Sequence, residues 1–180
     1  MVPEAQLEET EAGLKPNGEG WFVLNARDAA WQESAGRGGY CKFEGEPRFS
    51  QIGIQLRALG PGEPMSMYHW EADQEDFLLL SGEGLLIIEG EERPLRAWDF
   101  VHCPAGAKHT ILGAGERGCL CLAVGARDKS TGPEWGGYTV DEAAIRHGAG
   151  VEEETSDPEE AYERFPARQP ARYREGWIPS

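Results

Sequence analysis

Between residues 38 and 127 the chain reads as short apolar runs: GYCKF, QIGIQLRAL, MSMYHWE, DFLLLSG, GLLIIEG, RPLRAW, DFVHC, HTILG and CLCLAVG. PGEP, SGEG, EGEER, PAGAK and GAGERG separate them, and these are turn sequences. Many short strands with frequent Gly or Pro turns predict a sandwich, a jelly roll or a closed barrel. Stretches such as LLL and LLII are apolar at every position, which suits strands covered on both faces better than a sheet with one wet face. Composition agrees, since 24 of 180 residues are Gly. That is well above the usual share of about 7% and favours tight turns over a helical bundle.

The flanks differ from this body. Residues 1–20 are polar and acidic and are expected to form a flexible tail. Next, WFVLN is a candidate strand, and Asn25 is a candidate cap for a short helical turn over ARDAAW, with Asp28 at its third position. The barrel is expected to occupy residues 21–127 and a helical or extended C-terminal extension residues 128–180. In the extension, Thr139 with Glu142 forms a capping-box pattern ahead of a helix ending at Gly148. Asp157, Pro158 and Glu160 start a second short helix. The run ARYREGWIPS carries Tyr173, Trp177 and Ile178, which should dock on the barrel or on a neighbouring subunit.

Charge narrows the classes of partner. The chain has 32 acidic against 17 basic residues, a formal net charge of -15. Such a surface repels phosphate backbones and anionic lipid, so nucleic-acid and membrane partners are not expected. An anionic small substrate stays open, because a bound cation reverses the local field. The N-terminal stretch lacks the basic start and apolar run of a secretory signal, and FLLL and GLLII are too short to span a bilayer. A cytoplasmic location is therefore expected. The four cysteines, 41, 103, 119 and 121, form no CxxC pair and read as small buried residues in a reducing compartment.

Two of the four histidines stand in unusual company. In His69-Trp70-Glu71-Ala72-Asp73-Gln74-Glu75, strand alternation places His69 and Glu71 on one face, and Glu75 opens the next strand. His109 follows a Pro/Gly turn, Pro104 to Lys108, at the start of a fresh strand. Nitrogen and oxygen donors on strands of one barrel can converge on a cation. Alternation also puts Met65, Met67, His69 and Glu71 on one face, Phe77 and Leu79 with Glu75, and Ile111 with His109. This predicts a metal at the base of a largely apolar pocket, with Met67, Phe77 and Ile111 as substrate-binding candidates. His102 is a further candidate, facing either into the barrel beside the site or out to solvent. Asp76 should face away, and His147, near a helix C-terminus, needs no role beyond capping.

Over about residues 60–125 the chain resembles the cupin superfamily. The first family motif is written G-x5-H-x-H-x3-4-E-x6-G and the second G-x5-P-x-G-x2-H-x3-N. His69, Glu75 and Gly82 have the spacing of the first, and Pro104, Gly106 and His109 that of the second. Four positions depart: Glu71 replaces the second His, Glu63 and Trp98 replace the opening glycines, and Gly113 replaces the closing Asn.

The resemblance implies an all-β, double-stranded β-helix (jelly-roll) barrel. It also implies one divalent ion (zinc, iron, manganese or nickel) on His69, Glu75 and His109. Glu71 is either a fourth ligand, favouring harder ions, or a hydrogen-bond partner of a ligand. Implied activities are those of dioxygenases, decarboxylases and isomerases acting on small molecules. The alternative is a non-catalytic module that binds or senses a small molecule or metal. Cupins commonly pair, so a homodimer is expected.

Overall fold

The structure is a computed structural model that describes residues 1–129, 132 and 134–179. The strands are β1 (Gln6–Thr10), β2 (Gly13–Asn17), β3 (Trp31–Ser34), β4 (Gly38–Lys42), β5 (Ile52–Leu59) and β6 (His69–Glu71). They continue with β7 (Glu75–Ile88), β8 (Glu91–Arg96), β9 (Phe100–Cys103), β10 (His109–Ala126), β11 (Gly136–Tyr138) and β12 (Gln169–Ala171). Two short helices follow β11: α1 (Glu142–Arg146) and α2 (Pro158–Ala161).

The architecture is the double-stranded β-helix. Two long bent strands organise it. DFLLLSG and GLLII form one strand, β7, and HTILG and CLCLAVG form another, β10; these two run antiparallel along nearly their whole length. The first half of β7 also pairs with β9 and its second half with β8. The second half of β10 pairs with β5, and its first residue with β6. The two long strands thus join β3–β12 into one continuous ten-stranded sheet. Register shifts at Ala114/Cys119 and Leu120/Cys121 mark the bend. Gly82 stands there at φ 77°, where an added Cβ would lie 2.0 Å from the Gly118 carbonyl oxygen.

Both faces of the sheet are covered, which accounts for the unbroken apolar runs. Leu59, Phe77, Leu79, Ile111 and Cys121 point inward and form the barrel core. On the opposite face Leu56, Ala58 and Leu120 pack with Trp31, under Tyr173, Trp177 and Ile178 of the C-terminal run. Trp177 packs on Trp31 with ring centres 4.8 Å apart and planes tilted by 40°. Ala143 and Ala144 of α1 cover Ile87 and Leu112. The four cysteines are buried and unbridged. Burial pushes the thiols of Cys41, Cys103 and Cys119 up to about 12, so they stay protonated and inert at neutral pH. Among the described residues no helix is long and apolar enough to cross a membrane.

Two local expectations, the N-terminal tail and the cap of α1, need correction. Residues 6–17, expected within a flexible tail, form the β1–β2 hairpin. Thr10 closes its turn by donating to the Gly13 carbonyl at 2.6 Å, and Leu14 exchanges backbone bonds with Asp28 and Ala30. Acidic side chains did not prevent backbone pairing, and the turn at Thr10–Gly13 outweighed composition. Asn25 caps the short turn as expected: its side chain accepts from the Arg27 N–H at 2.9 Å, and its carbonyl accepts from the Ala29 N–H at 3.0 Å. The cap of α1 is Asp141, not Thr139; its carboxylate accepts from the Ala144 N–H at 2.8 Å. α2 is capped by Asp157 with Pro158 in its first turn.

Two of the motif departures have a backbone meaning. Trp98, in place of an opening glycine, holds φ 76° with its side chain exposed, a conformation that costs an L-residue energy. Gly113, in place of the closing Asn, lies so close to the loop at Gly60 that a Cβ would be 2.2 Å from the Gly60 carbonyl oxygen. Gly113→Asn, which restores the family residue, is therefore expected to lower unfolding free energy by about 3 kcal/mol. Denaturant titration of the two proteins checks this; equal midpoints would contradict the packing described.

Candidate metal centre

His69 opens β6 and His109 opens β10, and the register pairs them directly. Their rings lie 5.0 Å apart at the centroids. Both are held by their Nδ1 side: His69 Nδ1 is 2.8 Å from the Met67 carbonyl oxygen and His109 Nδ1 is 3.0 Å from that of Ala107. A carbonyl only accepts, so each Nδ1–H donates and each neutral ring keeps its lone pair on Nε2. Glu75 opens β7, and its Oε2 lies 3.5 Å from His69 Nε2 and 3.2 Å from His109 Nε2. The three donor atoms all fall within 4.8 Å of one another.

Both histidines are buried, and Glu75 Oε2 and His109 Nε2 are buried without a hydrogen-bond partner. Their 3.2 Å separation would suit an ion pair, yet with Nδ1–H committed to Ala107, His109 Nε2 has no proton to offer unless the ring is charged. Lone pairs facing one another in a buried space call for a cation, which a proton or a metal ion supplies. The side chains titrate accordingly. Burial opposes charge on His69, but Glu71 and Glu75 outweigh it and raise its pKa well above the ordinary value. Burial also opposes ionisation of Glu75, but His109 and His69 hold its carboxyl well below the usual carboxylate range. Two imidazole nitrogens and a carboxylate oxygen suit a divalent transition metal, so the residues present fit the ion that the motifs imply.

Glu71 stands at the edge of this set. Its Oε1 is 3.6 Å from His69 Nε2, its side chain is partly exposed, and it lies outside the three-donor cluster. The donors open on a cavity of about 540 Å³, a size suited to a small molecule. Phe77 and Ile111 line it as alternation required, and the Phe77 ring lies 5.3 Å from that of His109.

Two expected ligand-binding residues are elsewhere. Met67 is fully buried behind the wall against Tyr138, Val151 and Ala161. Regular strand begins only at His69, so alternation does not carry back through residues 65–68, and Met65 and Ser66 both reach the cavity instead. His102 is on the outer face, where its Nδ1 is 2.7 Å from Asp76 Oδ1. β9 sets His102 opposite Asp76, which alternates with Glu75 and faces out.

The cavity is also more polar than expected. Gln55 and Arg57 on β5 line it, with Arg48 and Arg127 nearer the mouth. Arg127 is paired with Glu44 at 2.7 Å, whereas Arg57 has no acidic partner among the described residues. Part of the wall comes from the C-terminal extension: Trp135, Tyr138 and Tyr162. Tyr138 lies 5.9 Å from the His69 ring and meets Tyr162 edge-on. The Tyr162 hydroxyl accepts from the Met67 N–H at 3.1 Å and so steadies the segment whose carbonyl orients His69. Strand alternation in QIGIQLRAL could have flagged Gln55 and Arg57 as a matched pair; the tyrosines carry no such local signal.

Residues 55–125 match the family model described as the cupin domain. With the double-stranded β-helix, that match shows that the chain contains a domain of the cupin superfamily. No curated protein matches the chain. Among solved structures, one from Acidithiobacillus ferrooxidans, named as a candidate sugar phosphate isomerase, is 34% identical. That alignment covers 43% of this chain and 51% of that one, with a TM-score of 0.41. A cupin-superfamily sugar phosphate isomerase from Silicibacter pomeroyi is 26% identical over 49% of this chain and 59% of its own, with a TM-score of 0.45. The chain thus spans only about half to three fifths of those two structures. The polyketide cyclase RemF from Streptomyces resistomycificus is 14% identical over 59% of this chain and 79% of its own, with a TM-score of 0.51, a likeness of fold.

The titration directions set a pH dependence for metal uptake. Because Glu75 stays ionised while His69 takes up a proton easily, acid competes with metal at the imidazole rather than at the carboxylate. Metal content is expected to fall as pH drops through the raised His69 value, beginning above about pH 6.5, and to recover when the pH is raised again. Dialysis at stepped pH followed by elemental analysis measures it. Full occupancy down to about pH 5 would contradict the ligand set.

Proposed function

We propose that this chain is a cupin metalloprotein that holds one divalent ion through His69, Glu75 and His109 and binds a small molecule beside it. The observation that carries this reading is the pair of unpartnered buried atoms, Glu75 Oε2 and His109 Nε2, facing His69 Nε2 inside a cavity of ligand size. A bound ion would supply Lewis acidity to a ligand oxygen, and with iron or manganese also redox chemistry. Two imidazoles and one carboxylate leave coordination positions free for that ligand, so an enzyme of the dioxygenase, decarboxylase or isomerase kind is the best-supported reading. Phe77, Ile111 and Met65 exclude water from one side. Glu71, with its carboxylate on the cavity wall, is the group placed to take or return a proton at Oε1.

One observation favours a sensing role as a second reading. The bond from the Met67 N–H to Tyr162 ties the cavity to the C-terminal extension, so ligand binding can change how that extension docks. Oxygen consumption or substrate turnover would separate the enzyme from the sensor.

Substitution tests the centre itself. His109→Ala and Glu75→Gln are expected to reduce metal from about one ion per chain to near none. Glu71→Gln is expected to weaken affinity by about tenfold or less. Elemental analysis of protein purified without added metal or a His tag gives the result, with circular dichroism as the check on folding. Unchanged metal in folded His109→Ala protein would remove the proposal.

A further inference from the structure

The β5 wall of the cavity carries a cation with no ion-pair partner among the described residues. Gln55 and Arg57, two residues apart on β5, face inward across from Ala123 and Cys121 of β10. The Arg57 guanidinium lies 4.2 Å from the ring centre of Tyr40, its partner on β4. Arg57 Nε and Gln55 Oε1 are buried and unpartnered. Among the described residues the ion-paired arginines are Arg93, Arg127, Arg146, Arg172 and Arg174, and Arg57 is not one of them. Two more unpaired guanidiniums stand behind it: Arg37 over Tyr162 at 3.8 Å and Arg168 over Tyr40 at 5.1 Å. In a chain with 32 acidic residues, a wall of unpaired arginines is conspicuous. Water cannot solvate the buried nitrogen, and leaving it empty is costly.

Charge accounting gives the sign of the missing group. Glu71 and Glu75 face the histidines, where a proton or a metal ion supplies the positive charge, Glu44 balances Arg127, and Arg48 is solvent-exposed. Arg57 then remains as the uncancelled charge inside the cavity. One planar guanidinium edge suits a planar carboxylate held by parallel hydrogen bonds, whereas a phosphate dianion asks for more donors than this wall presents. Gln55 Oε1 requires a donor, which a hydroxyl provides. Met65, Phe77 and Ile111 supply the apolar side for a carbon skeleton.

We infer that the cavity takes a small hydroxycarboxylic acid, its carboxylate on Arg57 and a hydroxyl on Gln55, with another oxygen directed toward the histidine side. This deepens the proposed function and rests on the cavity being a ligand site.

Calorimetry on the full chain, metal-free and loaded with manganese, tests it with lactate, malate, gluconate and salicylate. Sorbitol, which has gluconate's hydroxyls without the acid, and inorganic phosphate serve as comparators. At least one carboxylate is expected to bind, and sorbitol is not. Arg57→Gln should weaken that binding about tenfold or more at unchanged metal content, and Arg57→Lys by a smaller factor. Arg57→Lys keeps the stem and charge against Tyr40, so it serves if Arg57→Gln fails to fold. Equal binding by wild type and folded Arg57 variants would overturn the inference, as would binding of phosphate or sorbitol in place of carboxylates, or no carboxylate binding at millimolar concentration. Arg57-dependent carboxylate binding in a protein that takes up no metal would sink the metal reading and leave this one standing.

Discussion

Two imidazole nitrogens and a carboxylate oxygen that converge in a buried space need a positive charge among them, which a proton or a metal ion supplies. The remaining geometry of the centre serves that convergence. β6 brings His69 opposite the first residue of β10, so two histidines far apart in the chain become cross-strand neighbours. β7 begins with Glu75, paired with the far end of the same β10 at Gly125. The curvature of the two long strands closes the distance between those ends. Backbone carbonyls at Met67 and Ala107 then fix which ring nitrogen is free. Small shifts in the bend at Gly82 and Gly118 would therefore be felt at the donors as well as in the core.

Around this centre the barrel is insulated on its outer face as well as its inner one. Trp31 is fully buried beneath Trp177 and Tyr173, and Ala143 and Ala144 close the other side of β7 and β10. Such cover packs the strands that carry the three donors, and a coordination centre formed by them would tolerate little displacement. The fully buried, protonated thiols of the core contribute packing and not chemistry.

Much of this was legible in the primary structure, for identifiable reasons. The spacing of His69, Glu75, Pro104, Gly106 and His109 marks donors that a turn and a strand start hold in place. Alternation places Phe77, Ile111 and Asp76 correctly because β7 and β10 are long and regular there. It misplaces Met67 because residues 65–68 are irregular, and it leaves His102 undecided because facing depends on the pairing of β9 with β7. Composition suggested a tail where a four-residue turn makes a hairpin. An apolar pocket was expected from the strands bearing the histidines, whereas the polar wall stands on β5. Tyr138 and Tyr162 reach the cavity only through tertiary packing, which no local pattern records.

The segment matched to the domain family stops at residue 125, yet Trp135, Tyr138 and Tyr162 complete one side of the cavity. The three candidate donors lie within the matched segment, whereas part of the wall comes from the chain beyond it. Divergence in what such proteins recognise can then accumulate in the appended segment without disturbing the donors. Grouping them by the shared barrel alone would pool chains whose pockets are shaped by different neighbours.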